Sequence, residues 1–196
     1  MLRSAEIERN TAETQIKISL CLDERRAPVI DTGCGFLDHM LTLFASHGSF
    51  ALEVKCAGDV HVDYHHTVED VGIALGKAFA KAAGDKAGIC RYGHILLPMD
   101  EALILCAADV SGRSHLEFSL ALPSSRVGDF DTELVQEFFL GFVRSFPMAL
   151  HIKSLSGANT HHIIEGTFKA FARVMRCALS EDTALGGAVP STKGIL

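Results

Sequence analysis

From Glu13 to Leu22, the apolar residues Ile16, Ile18, Leu20 and Leu22 alternate with Gln15, Lys17, Ser19 and Cys21, the period of a strand with one buried face. Asp23-Glu24-Arg25-Arg26 turns the chain, and Ala27 to Ile30 reads as a partner strand. From Gly35 the period lengthens. Phe36, Leu37, Met40, Leu41 and Phe44 form a helical stripe with Gly48 as the expected C-cap. Alternation returns from Phe50 to Cys56. A further helix is predicted from about Val68 to Ala83, with Gly76 as a weak point and Gly84 marking its end.

The pattern then repeats. Gly93 to Val110 reads as a hairpin turning near Pro98 to Asp100, and Arg113 to Leu120 as another strand. Asp131-Thr132 is an N-cap pair for a helix carrying Leu134, Val135, Phe138, Phe139 and Phe142, each 98 residues after a member of the first stripe. Ala149-Leu150-His151-Ile152-Lys153 follows Ala51-Leu52-Glu53-Val54-Lys55 at the same distance, and a last helix runs to about Leu179. This duplication predicts an α+β fold: two strands-helix-strand-helix halves, each sheet carrying its helices on one side, with the helices stacked between the sheets. Residues 1–90 form the first repeat, 91–185 the second, and 186–196 a Gly- and Pro-containing tail.

Composition narrows the function. A chain of 196 residues with 48% apolar content can bury about 70% of its unfolded surface. A net charge of -6 argues against nucleic acid as the partner, so any anion site must be local. Six scattered cysteines (Cys21, Cys34, Cys56, Cys90, Cys106, Cys177), with no CxxC pair, read as reduced thiols. No stretch resembles a signal peptide or a membrane span, and a cytoplasmic protein is expected.

The chemistry concentrates in His65-His66-Thr67-Val68-Glu69 and its echo 96 residues later, His161-His162-Ile163-Ile164-Glu165. On a helix, a histidine and a glutamate three or four residues apart converge on one side, whereas adjacent histidines diverge by about 100°. Each pair is therefore expected to serve two different metal ions. A lone helical histidine is usually a surface or core residue, but two copies of the motif in a chain with ten histidines outweigh that reading. Adding His39 and His151 gives eight candidate ligands, His39, His65, His66, Glu69, His151, His161, His162 and Glu165, which divide into two sites of three imidazoles and one carboxylate. Nitrogen and oxygen donors without Cys favour an open site on a first-row divalent ion over structural zinc. His47, His61, His94 and His115 fit no such pattern. Asp63 and Asp70 are candidate acceptors for imidazole N–H groups. Arg91, Arg113, Lys169 and the tail Ser191-Thr192-Lys193 are candidates for binding an oxyanion.

These residues carry a resemblance. Gly35-Phe36-Leu37-Asp38-His39-Met40-Leu41, Asp63-Tyr64-His65-His66-Thr67-Val68-Glu69-Asp70, Pro98-Met99-Asp100-Glu101-Ala102-Leu103 and His161 to Ala170 closely resemble the imidazoleglycerol-phosphate dehydratase family of histidine biosynthesis. The likeness runs from Arg9-Asn10-Thr11-Ala12-Glu13-Thr14 to Ser191-Thr192-Lys193-Gly194. It implies a ribosomal protein S5 domain 2-like fold and a hydro-lyase with two Mn(2+) ions per active site, converting imidazole glycerol phosphate to imidazole acetol phosphate. It also implies trimers assembled into a 24-subunit shell with active sites at subunit contacts. By the same resemblance, the eight candidate ligands fall on metal positions, Arg91, Arg113, Lys169, Ser191 and Lys193 fall on phosphate-binding positions, with Thr192 between the last two, and Glu13 falls on an acid placed beside the substrate, where it is expected to shuttle protons as the catalytic residue. Thr42-Leu43 departs from the Asp-Gln often found there. A dinuclear metal hydrolase, or a non-catalytic metal-binding shell, would use the same ligands; the basic group near Lys169 favours a phosphorylated small substrate.

Overall fold

The computed structural model describes residues 2–196 as two four-stranded sheets enclosing a layer of four helices. The first half comprises β1 (Ser4–Asn10), β2 (Thr14–Cys21), β3 (Val29–Asp31), α1 (Gly35–Gly48), β4 (Ala51–Gly58) and α2 (His65–Ala83). The second comprises β5 (Tyr92–Met99), β6 (Ala102–Asp109), β7 (His115–Ser119), a small β8–β9 hairpin (Arg126–Val127 and Phe130–Asp131), α3 (Leu134–Ser145), β10 (Ala149–Ser156) and α4 (Thr160–Ala178). The sheets have matching orders, β1-β2-β4-β3 and β5-β6-β10-β7. Each closes with a parallel pair, β3 on β4 and β7 on β10. The α+β class and the duplicated halves are as the periodicity predicts.

Several local expectations are corrected. β2 pairs antiparallel with β1 and β4, not with the segment after Arg26, which instead pairs parallel to β4. The left-handed residue ending α1 is Ser49 (φ 56°) rather than Gly48, which packs its Cα on the Phe50 ring. Helix α2 begins at His65. Asp131 and Thr132 do not cap α3: Asp131 binds Arg126, and the Thr132 hydroxyl donates to the Ser124 carbonyl.

Gly76 is not a weak point either. A Cβ there would lie 2.5 Å from the Phe142 carbonyl oxygen, and one on Gly72 would lie 2.4 Å from that of Phe138. Gly141 of α3 similarly faces the Glu69 carbonyl. These glycines let the backbones of α2 and α3 touch, a packing gain that outweighs glycine's cost of about 1 kcal/mol in a helix.

Helix α2 covers β1, β2 and β4, α4 covers β5 and β6, and the halves meet where α2 packs on α3 and α1 on α4. The seam is aromatic: Phe44, Phe79, Phe139, Phe142 and Phe171 are fully buried, with ring centroids of successive neighbours about 5–6 Å apart. Each buried ring contributes roughly 1.5–3 kcal/mol, against about 0–1 kcal/mol for an exposed ion pair. Apolar burial therefore sets the geometry of the helix layer, and with it the positions of the side chains at the helix starts.

Candidate active site

The site begins at the start of α4. The Asn159 side chain accepts from the backbone N–H groups of His161 (2.9 Å) and His162 (3.4 Å), so the helix is wound from the histidine pair onward. His161 and Glu165 then fall one turn apart on one face. The α1–α4 contact brings in His39 from the other half. Its Nε2 lies 3.3 Å from Glu165 Oε2, and His161 Nε2 lies 3.2 Å from the same oxygen. The three donor atoms lie within 4.8 Å of one another, the one such group of three among the described residues.

Glu165 is 8% exposed and uses its two oxygens differently. Lys169 Nζ sits 2.6 Å from Oε1, and both imidazoles approach Oε2. Burial opposes its ionisation, but Lys169, His39 and His161 outweigh that and hold the carboxyl below its ordinary range. Donor separations near 3.2 Å match two bonds of about 2.2 Å at a right angle, so the cluster fits a divalent ion as a two-imidazole, one-carboxylate set.

The second histidine of each pair is held by a carboxylate on Nδ1. Asp59 Oδ2 lies 2.9 Å from His66 Nδ1, and Glu101 Oε2 lies 2.8 Å from His162 Nδ1. Both carboxylates push their imidazole pKa up. Glu101 also accepts the N–H groups of Asn159 (2.8 Å) and Ala158 (3.2 Å) through Oε1; the His162 contact and these backbone bonds pull its carboxyl down to about 2. A carboxylate on Nδ1 fixes the ring proton there and leaves Nε2 as a lone-pair donor, the usual arrangement of a metal-binding histidine. Asp59 and Glu101 thus take the role expected of Asp63 and Asp70. Asp63 instead accepts the His65 N–H (2.7 Å), and Asp70 binds Arg9 and Thr14.

Glu13 and Glu101 are counterparts. The strand registers superpose the β1–β2 turn on the β5–β6 turn, Thr14 on Ala102 and Glu13 on Glu101. Glu101 is tied down, whereas the Glu13 side chain is 52% exposed, with Oε1 3.7 Å from His66 Nε2. This alignment was available in the sequence as the signal for Glu101, once β1 was recognised as a strand.

The other candidate ligands lie elsewhere on the chain. His65, His66 and Glu69 open α2, where the counterpart of His39 in the repeat is Glu137 of α3. His151 is exposed on the outer face of the second sheet, its ring 5.6 Å from that of His115. One chain therefore gathers three of the eight candidates into a cluster, not two complete sets of four.

The basic candidates divide into two places. Arg91, Arg113, Ser191, Thr192 and Lys193 line one pocket of about 280 Å³, together with Ile195 and Leu196. The Arg91 guanidinium donates to Asp109 (2.7 and 3.2 Å) and to the Pro190 carbonyl (2.8 Å), which anchors the tail over the pocket. Lys169 does not line it and stays with Glu165.

The chain is similar to known proteins along almost its whole length. The imidazoleglycerol-phosphate dehydratase family model matches residues 32–175. Proteins of that name from Desulforamulus reducens and Bordetella petrii are 58% and 53% identical, over 99% and 100% of this chain and 98% and 100% of theirs. The crystal structure of the Staphylococcus aureus dehydratase superposes with a TM-score of 0.82 at 41% identity, covering 93% of this chain and all of that one. The Pyrococcus furiosus structure gives 0.82 at 33% identity, covering 97% and 100%.

Proposed function

The chain belongs to the imidazoleglycerol-phosphate dehydratase family of hydro-lyases in histidine biosynthesis, and we propose that it performs its dehydration with two divalent ions, manganese in the cell, in sites completed between subunits. The substrate of the reaction is imidazole glycerol phosphate and the product imidazole acetol phosphate.

The observation that supports metal dependence is the pairing of the His39–His161–Glu165 cluster with two further imidazoles, His66 and His162, whose Nδ1 atoms are held by carboxylates. His39, His161 and Glu165 would hold one ion in part; His65, His66, Glu69, His151 and His162 would complete its shell and form the second site. These five lie outside the cluster of one chain, which supports ligands shared among copies, as in a trimer-built 24-subunit shell. When bound, such ions supply positive charge beside the imidazole ring, so that a carbon-bound hydrogen becomes acidic enough to remove.

The chain's own residues divide the remaining tasks. Arg113, Lys193, Ser191 and Thr192 bind the phosphate, with Arg91 fixing both the pocket and the tail. Lys169 keeps Glu165 ionised and has further N–H donors to offer an oxyanion. Glu13, exposed and untethered, takes the proton at its carboxylate and returns one to the departing hydroxyl. No helix among the described residues is long and apolar enough to cross a membrane, and a cytoplasmic location suits a biosynthetic enzyme.

The test is metal analysis of the purified protein beside an assay for imidazole acetol phosphate. Activity should require the divalent ion, and a chelator should shift the largest assembly to smaller species on a sizing column. Full turnover of metal-stripped protein would overturn the metal reading, and an intact assembly after stripping would overturn the sharing of ligands.

A further inference from the structure

The two hairpin turns are held on their helices by different means. In the first half, buried Asp70 of α2 accepts from Arg9 of β1 and from the Thr14 hydroxyl at 2.6 Å. Arg9 and Asp70 side chains are only 22% and 8% exposed, and Thr14 is 1% exposed. From Thr14 the bonding continues into the turn: its hydroxyl lies 3.2 Å from that of Thr11, and Thr11 Oγ1 accepts the Glu13 N–H at 3.1 Å. The Glu13 carbonyl in turn accepts the N–H of Asp59, the residue that holds His66.

In the second half all three counterparts are apolar or absent. The same registers place Leu97 where Arg9 stands and Ala102 where Thr14 stands, and the helix repeat places Gly166 opposite Asp70. There the hairpin simply packs on the helix, Gly166 facing Ile104 and Met99. The scaffold therefore does not need a buried ion pair at this position. Such a pair also gives no stability over well-packed apolar residues, because desolvation offsets the attraction. The half that keeps the polar set is the half whose turn carries the free glutamate.

We infer that Asp70, with Arg9 and Thr14, is a positioning device that fixes the backbone of the Glu13 turn against the start of α2. The inference rests on the reading of Glu13 as the proton carrier. Asp70 touches no substrate in this role; it acts through Thr14 and Thr11, and the geometry of proton transfer tolerates little displacement.

The experiment compares holoenzymes. Thr14→Val, which removes the hydroxyl at constant shape, should lower kcat about tenfold with KM within about twofold and metal content unchanged, and Thr14→Ser should restore most of the loss. In a Glu13→Gln background, Thr14→Val should cost nothing further, because the group it positions is gone. Arg9→Leu/Thr14→Ala/Asp70→Ala, which approximates the second half, should keep the melting temperature and assembly while lowering kcat at least tenfold. Full activity of Thr14→Val, or an equal loss in both backgrounds, would overturn the inference while leaving Glu13 in place. An active Glu13→Gln would overturn the reading beneath it, and the inference with it.

Discussion

Glu13 and Glu101 stand at matching turns of two hairpins, and of the two side chains Glu101 is the hydrogen-bonded one: it spans His162, Ala158 and Asn159, while Glu13 makes only a 3.7 Å ion-pair contact with His66. The first half can leave its glutamate free because Asp59 has taken over the imidazole Nδ1. A tethered carboxylate orients a ligand, whereas an untethered one can move a proton. The same residue type at the same point of the fold thereby stands in two different settings, and the untethered one suits the proton transfer proposed for Glu13.

Glu13→Gln should reduce kcat by at least about 100-fold, the span of a lost general acid–base group, with metal content intact. Steady-state kinetics and metal analysis on one preparation decide it. An active variant would remove Glu13 from the reaction.

Glu101→Gln should weaken metal binding by roughly 10- to 100-fold, the usual effect of losing the carboxylate behind a ligating histidine. Titration of metal-free protein with the divalent ion measures it. Undiminished affinity would show that His162 orients itself unaided.

Arg113→Ala should raise KM roughly tenfold or more with a smaller effect on kcat, since a hydrogen bond to a charged group is worth about 1.5–3 kcal/mol. Inorganic phosphate should inhibit this variant less than the parent. Arg91 is a poorer choice for the test because its loss would also release Pro190 and leave Asp109 without its partner.

Gly76→Ala should destabilise the protein by about 1–3 kcal/mol despite alanine's better helix propensity, because the new methyl would press on the Phe142 carbonyl at 2.5 Å. Thermal melts compare the two forces directly. A raised melting temperature would mean that α2 and α3 can separate at little cost.

At the opposite end from the histidines, Arg3 donates to Asp23 and to the Leu179 carbonyl. The hydrogen bond from Arg3 pulls the Asp23 carboxyl below its ordinary value of 3.8, against the opposing effect of burial. A lowered folded-state pKa stabilises above the ordinary value and is lost as pH falls through the folded one. Asp23→Asn should therefore melt below the parent near neutrality, and the difference should close well below pH 3.8. A gap that persisted in acid would assign it to packing.

Periodicity exposed the two stripes of α1 and α3 and the alternation of β2, β4 and β10, because their buried positions hold apolar residues. Strand β1 is hard to read in the sequence for the opposite reason. Its inward positions are Ala5, Ile7 and Arg9, and a guanidinium buried beside Asp70 does not read as core. His161 and Glu165 were legible from spacing and repeat, whereas His39, whose counterpart in the repeat is Glu137, was not, and the residues that line the tail pocket were legible from their basic and hydroxyl character and the resemblance alone. Asp59 was not: it reaches His66 from a loop seven residues earlier, a contact with no periodic signature. The distribution of the eight donors over one chain was equally invisible, since spacing along a sequence does not distinguish neighbours within a subunit from neighbours across subunits.

The crossed helix contacts, α2 with α3 and α1 with α4, mean that each half buries its helices against those of the other half as well as against its own sheet. Two identical chains joined by the same contacts would be bound by symmetry to carry one residue at both turns. A single chain carries no such requirement, so its two turns can hold one tethered glutamate and one that is not.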